Sequence, residues 1–204
     1  MNDPTARAAS WVIETQNTAD METREVYALA GLALFEAQCL ELEIVNSLGL
    51  AEIVNIWRTS RPQSSVEMSE YSAKIDQIWD KNYERTLGQL LISLRQSGLV
   101  IPNTLDSLLR ESLENRNRLV HGYFRERSKW LFDSDGRRSM ANDLRAMQEL
   151  FGKTDHSLSE VTSKIRNALG MSAENIKLVG ELMKANASET EIARVISTFM
   201  GEVR

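Results

Sequence analysis

Apolar residues recur every three or four positions along most of this chain, and this spacing constrains its fold more than any other feature. The clearest stripe consists of Val26, Leu29, Ala33, Ala37, Leu40, Ile44 and Leu48. A second stripe begins near Ser139 and ends at Gly170. Three prolines and ten glycines in 204 residues are too few for a β architecture with many turns. We therefore predict an all-α helical bundle.

Composition shifts divide the chain into three parts. Residues 1–19 are polar except for one short apolar cluster, and we expect a loose N-terminal arm or a short helix there. The helical bundle is expected over residues 20–170. Residues 171–204 predict two shorter helices, which would form a C-terminal helical appendage.

Start and stop signals predict the individual helices. Asp20 is a plausible N-cap of the first helix and Gly49 a plausible stop. Thr86 is expected to cap a short helix that ends at Gly98. The next helix is expected to start with a cap at Asn103 or Thr104 and to run to about residue 128. An ordered turn over 129–137 then precedes the last long helix.

Composition also argues against several classes of site. A single cysteine, Cys39, excludes a disulfide scaffold and a cysteine-rich zinc site. Two histidines, His121 and His156, argue against a multi-histidine metal site, so we expect neither metal nor cofactor. No apolar run is long enough to span a membrane, and the N-terminus has no secretory signal pattern. We expect a cytoplasmic protein with no membrane partner.

Charge is distributed unevenly. The chain carries a net charge of −5, yet residues 116–138 hold seven basic residues against three acidic ones, a local charge of +4 that leaves −9 for the rest. The basic residues are Arg116, Arg118, Arg125, Arg127, Lys129, Arg137 and Arg138. A basic segment on an acidic body can steer a polyanion to one place, although an arginine-rich solvated helix face explains the charge equally well.

The same segment contains the most informative pattern, Glu-Asn-Arg-Asn-Arg-Leu-Val-His-Gly-Tyr-Phe over residues 114–124. On a helix, Arg116 falls near the middle of an apolar face formed by Leu105, Leu109, Ser112, Leu113, Leu119, Val120 and Tyr123. A guanidinium there needs an ion pair, for which Glu36 is a candidate, or a wet cleft. Asn117 and His121 are four residues apart, so their side chains can hydrogen-bond each other.

Arg116, four intervening residues and His121 resemble the Arg-x4-His motif of the HEPN superfamily of helical-bundle proteins. The continuation to Tyr123 is similar to HEPN ribonuclease toxins paired with minimal nucleotidyltransferase antitoxins. The resemblance implies a homodimer that cleaves RNA without a metal, through attack of the 2′-OH to leave a 2′,3′-cyclic phosphate. It makes His121 the general base or acid, Arg116 the ligand of the scissile phosphate, Asn117 the residue that orients the imidazole and Tyr123 the residue that an antitoxin would modify.

On this interpretation four further cations, Arg118, Arg125, Arg127 and Lys129, would contact RNA phosphates without reading sequence. One alternative is a non-catalytic helical dimer that acts as a binding or interaction module, with Arg116 structurally paired. Another is a DNA-binding regulator, because residues 188–196 faintly resemble a helix-turn-helix. The four basic and five acidic residues of 171–204 disfavour a duplex reader.

Overall fold

A computed structural model of the chain describes residues 18–59, 65–168, 172–188, 191 and 194–195. These residues form helices and turns with no strand, which confirms the all-α helical bundle. Nearly all of the predicted N-terminal arm, and most of the segment that resembles a helix-turn-helix, lie outside the described residues. In the described ranges no helix is long and apolar enough to cross a membrane.

The elements follow one another in a simple order. They are α1 (Thr18–Thr59), α2 (Ser65–Tyr83), α3 (Leu87–Gln96), α4 (Asn103–His121), α5 (Tyr123–Glu126), a 3₁₀ turn (Ser128–Phe132), α6 (Ser134–Ala168) and α7 (Ala173–Lys184). The helix α7 lies within the predicted C-terminal appendage. The pair α1 and α6 has the most extensive contact in the bundle, and α4 packs against both.

The core follows from the apolar stripe of α1. Its buried positions include the predicted alanines Ala33 and Ala37 and the larger Leu40, Ile44 and Leu48. Small side chains at one end of the stripe let a neighbouring helix approach closely, and larger ones fill the space at the other end. Facing them on α6, Leu144, Phe151 and Leu158 are fully buried.

The helix α1 does not stop at Gly49 as predicted but continues to Thr59. Gly49 is buried beneath the ring of Trp79, and a Cβ added to Gly49 would lie only 2.2 Å from that ring. The glycine is therefore needed for the close approach of α2 and does not act as a helix stop.

The predicted single helix from Leu105 to about residue 128 is interrupted. Gly122 has φ −136° and ψ −23°, which ends α4 at His121, although Gly122 N–H still donates to the Arg118 carbonyl at 3.0 Å. Neither Asn103 nor Thr104 caps α4, because Pro102 occupies the N-cap position and no side chain bonds there. The predicted Thr86 cap of α3 is confirmed, with Gln89 completing a capping box.

The helix α6 begins at Ser134, five residues before the predicted start near Ser139. Asp133 explains the difference, because its Oδ2 accepts the Gly136 N–H at 3.0 Å in the manner of an N-cap. The ordered turn predicted over 129–137 is correspondingly shorter.

Candidate nucleic-acid interface

The helix α4 turns one face to the core and leaves Asn117 and His121 at the surface. Leu105, Leu109 and Leu119 are buried, and they hold α4 against the bundle. Asn117, Val120 and His121 are exposed, and they lie together on the opposite edge because they are three and four residues apart. Val120, which the periodicity predicts to be buried, is 46% exposed.

Arg116 is held by an ion pair with α1. Its Nε donates to Glu41 Oε1 at 2.8 Å, and the two side chains are 28% and 27% exposed. The predicted partner Glu36 is wrong, and Glu41 lies five residues further along the same helix. Since Glu41 takes only the Nε–H, the terminal nitrogens of Arg116 keep donors for a further ligand.

Asn117 contacts Arg116 and not His121. Arg116 Nη1 lies 3.5 Å from Asn117 Oδ1, which is at the limit of a hydrogen bond. The predicted Asn117–His121 hydrogen bond is absent from the described part of the chain. Asn117 is exposed, so a side-chain rotation is enough to bring its amide to the imidazole.

His121 is exposed at the C-terminal end of α4, and its imidazole forms no hydrogen bond or ion pair with any residue that the structure describes. A histidine that only packs a core is normally buried and satisfied by a neighbour. An accessible imidazole can act as a general acid or base toward a bound ligand.

Two of the four predicted RNA contacts are already paired. Arg118 and Arg127 each place an Nη2 3.0 Å from the carboxylate of Asp143 on α6. The Arg127 guanidinium also lies 4.5 Å from the centre of the Tyr123 ring. This cluster joins the end of α4 to α6, so we assign Arg118 and Arg127 a structural role. Arg125 and Lys129 are exposed, and within the described ranges neither forms an ion pair.

Among the residues whose burial the structure describes, Tyr123 is the largest fully buried side chain, with 1% of its surface exposed. Its hydroxyl donates to the Met140 carbonyl at 3.0 Å. Burial, reinforced by the nearby carboxylate of Asp143, raises the pKa of the Tyr123 phenol. A buried, bonded and protonated hydroxyl is a poor acceptor for a modifying enzyme, so the structure gives Tyr123 a packing role.

Comparison with known proteins adds no assignment. No protein-family model, no curated protein and no solved structure matches this chain. Among the described residues, no group of three or more His, Cys, Asp or Glu side chains could hold a metal ion.

An exposed apolar surface adjoins the motif. The Tyr27 ring of α1 lies 5.4 Å from that of Phe124, and Glu41 contacts Arg116, so α1 and α4 run antiparallel. In sequence, Leu34 lies midway between Tyr27 and Glu41, and Val120 lies midway between Arg116 and Phe124. These apolar side chains are 38% and 46% exposed, and their positions in sequence place them along the line where α1 meets α4.

Sequence reasoning missed Glu41 and Asp143, the acids that hold Arg116 and Arg118. Each directly follows or precedes a buried leucine, Leu40 or Leu144, which places it at the edge of a core-facing stripe. Acids at such edges are the residues to test first as partners of an arginine that falls on an apolar face.

Proposed function

We propose that this protein is a metal-independent endoribonuclease of the HEPN type that acts as a homodimer. The exposed, unpartnered His121 carries the proposal, because nothing in the described packing accounts for an imidazole at this position. Arg116 supports it, because it lies on the same helix end and the Glu41 contact uses only its Nε–H, so that its terminal nitrogens keep donors for a phosphate. The resemblance of Arg116-x4-His121 to the HEPN motif supplies the reaction class.

In the proposed reaction, the ribose 2′-oxygen attacks the adjacent phosphorus and the bond to the 5′-oxygen breaks. A basic imidazole of His121 takes the proton of the 2′-OH, and an imidazolium gives a proton to the leaving 5′-oxygen. The Arg116 Nη groups stabilise the charge that develops on the phosphate oxygens. The products are a 2′,3′-cyclic phosphate and a 5′-hydroxyl.

A homodimer would supply both protonation states from two copies of His121. The exposed apolar side chains of Leu34 and Val120 support this arrangement, because apolar side chains are buried when two copies of a protein associate. Pairing two copies there would place both motifs at the border of one groove. Asn117 would orient the imidazole after the side-chain rotation described above.

RNA phosphates would contact Arg125 and Lys129. The proposal is limited to the ribonuclease, because a buried Tyr123 does not support modification by a nucleotidyltransferase antitoxin. The alternative is a non-catalytic helical dimer that serves as a binding module. The Arg116–Glu41 ion pair is the observation that favours it, since a guanidinium with a carboxylate partner needs no ligand.

Cleavage of RNA in EDTA tests the proposal. We expect wild type to cleave structured and single-stranded RNA, and His121→Ala and Arg116→Ala each to lose about 10²-fold or more in rate. The matched control is His156→Ala, because His156 is the other histidine and its side chain is 77% exposed on α6. Folded wild-type dimer that leaves RNA intact would favour the binding module.

A further inference from the structure

The 3₁₀ turn Ser128–Phe132 displays aromatic surface to solvent. Phe132 is 89% exposed and Trp130 is 41% exposed. The Trp130 ring lies 5.3 Å from the guanidinium of Arg127, which in turn is fixed to Asp143. Burying an exposed aromatic ring against a ligand is favourable, so the Phe132 ring is a candidate contact for a binding partner.

The turn is held firmly by the bundle beneath it. Arg137, a buried residue of α6, donates from Nη1 to the Leu131 carbonyl at 2.8 Å and from Nε to Glu22 on α1 at 2.8 Å. Gly136 approaches the turn so closely that a Cβ there would lie 2.5 Å from the Trp130 carbonyl oxygen. The exposed Phe132 ring therefore lies on a turn whose backbone is held in place by α6.

The acidic residues around the turn already have partners. Asp133 accepts the Gly136 N–H, and Asp135 pairs with Arg138 at 3.0 Å. Glu126 lies 3.7 Å from Arg127. In this part of the described chain, Arg125 and Lys129 are the cations left without an ion pair, so the surface around Phe132 favours an anionic partner.

These cations connect the turn to the motif. Arg125 follows His121 by four residues, beyond the break at Gly122, and lies in α5, whose first hydrogen bond runs from Glu126 N–H to the Gly122 carbonyl at 2.9 Å. The two residues are therefore close in sequence but do not share one helix face. Lys129 follows one turn later, within the 3₁₀ turn that carries the aromatic rings.

We propose that the substrate is single-stranded RNA and that one unpaired base stacks on Phe132 while neighbouring phosphates contact Lys129 and Arg125. An exposed aromatic ring beside unpaired cations is the arrangement that recognises an unstacked base on a charged backbone. This inference rests on the proposed function and adds its substrate class: a flexible strand that runs from Phe132 to His121.

Equilibrium binding of fluorescent RNA tests the stacking. All proteins carry His121→Ala, so that the RNA stays intact, and each is titrated with a short single-stranded RNA of mixed sequence and with a duplex of the same length. Phe132→Ala should weaken single-strand binding about 5- to 100-fold, and Phe132→Tyr should restore it. Val100→Ala, at an apolar side chain that is 86% exposed outside the turn, is the matched control and should bind like the parent.

Unchanged single-strand affinity in Phe132→Ala would overturn the inference, as would an equal loss for duplex and single strand. A change of oligomeric state in Phe132→Ala would also overturn it, because Phe132 would then belong to a protein interface. Cleavage by the otherwise wild-type protein is measured separately. If the protein with His121 cleaves RNA but Phe132→Ala binds RNA as tightly as its parent, only the stacking inference is refuted. If the protein neither cleaves nor binds RNA, the proposed function is refuted as well.

Discussion

Arg116 lies in a half-buried ion pair, and this position determines how its removal is interpreted. A pair whose side chains are 28% and 27% exposed contributes far less than the 3–5 kcal/mol lost when a fully buried pair is broken. We expect Arg116→Ala to lower the free energy of unfolding by about 1–2 kcal/mol, as measured by denaturant titration. Glu41→Gln is the control, because it removes the same pair and keeps the guanidinium.

A structural role for Arg116 predicts a different result. Arg116→Ala would then unfold the protein or cost stability in the range of a buried pair. If the protein is a ribonuclease, Glu41→Gln keeps most of the cleavage activity, because Arg116 still reaches the phosphate. Arg116→Ala loses the cleavage activity, while its free energy of unfolding falls by only about 1–2 kcal/mol.

The partners of Arg116 and Tyr123 were only partly predictable from the sequence. The spacing of residues 114–124 predicted that Arg116 needs either an ion pair or a wet cleft, because an isolated charge on an apolar face is costly, and the structure shows an ion pair with α1. It did not identify Glu41 over Glu36, since that choice depends on how α4 is rotated and shifted against α1. Tyr123 likewise fits the apolar stripe, but only the packing of α6 shows that its hydroxyl donates a hydrogen bond to the Met140 carbonyl.

At the level of helices, two glycines of α1 should respond oppositely to alanine. Gly49→Ala places a Cβ 2.2 Å from the Trp79 ring, so we expect a loss of about 1–3 kcal/mol in the free energy of unfolding. Gly31→Ala meets nothing within 4 Å and should stabilise the protein by about 0.5–1 kcal/mol through helix propensity. Thermal melts of the two variants provide the comparison. A stabilised Gly49→Ala would refute the close contact between α1 and α2.

The helices themselves were largely predictable, whereas their ends were not. Apolar periodicity reflects which face is buried, and it located α1, α3 and most of α6. Ends depend on local bonds and tertiary contacts, as Gly49 under Trp79 and the Asp133 cap of α6 illustrate. Glycine is a weak helix former, and α4 ends at Gly122, although the φ of −136° at this position is open to other residues.

For the molecule as a whole, acid should weaken the contact between the beginnings of α1 and α6. Hydrogen bonds from Arg137 and Ser134 lower the pKa of Glu22. A lowered pKa in the folded state adds stability above the ordinary pKa of glutamate, and this stability is lost as the pH falls through the lowered value. Glu22→Gln should therefore reduce the melting temperature at neutral pH and match wild type at strongly acidic pH. Glu149→Gln, at an exposed glutamate of α6, should have the melting temperature of wild type at every pH. If the melting temperature of Glu22→Gln stays below that of wild type at strongly acidic pH, the lost stability does not come from the Glu22 carboxylate.

The proposed dimer is tested at its apolar surface. A charge at Leu34 would be buried in the interface, so Leu34→Glu should weaken dimerisation by about tenfold or more, equivalent to ~1.4 kcal/mol. Ile92→Glu changes a side chain of α3 that is 55% exposed and should leave the dimer intact. Sedimentation over a concentration series measures both. Dimerisation that survives Leu34→Glu would place the interface elsewhere.

In the proposed function, the exposed His121 enables this helical bundle to cleave RNA through the ribose 2′-OH. End-group analysis of RNA incubated in EDTA with wild type, His121→Ala or His156→Ala tests this role. We expect 2′,3′-cyclic phosphate and 5′-hydroxyl ends with wild type and His156→Ala, and intact RNA with folded His121→Ala. The same ends produced at wild-type rate by His121→Ala would contradict it.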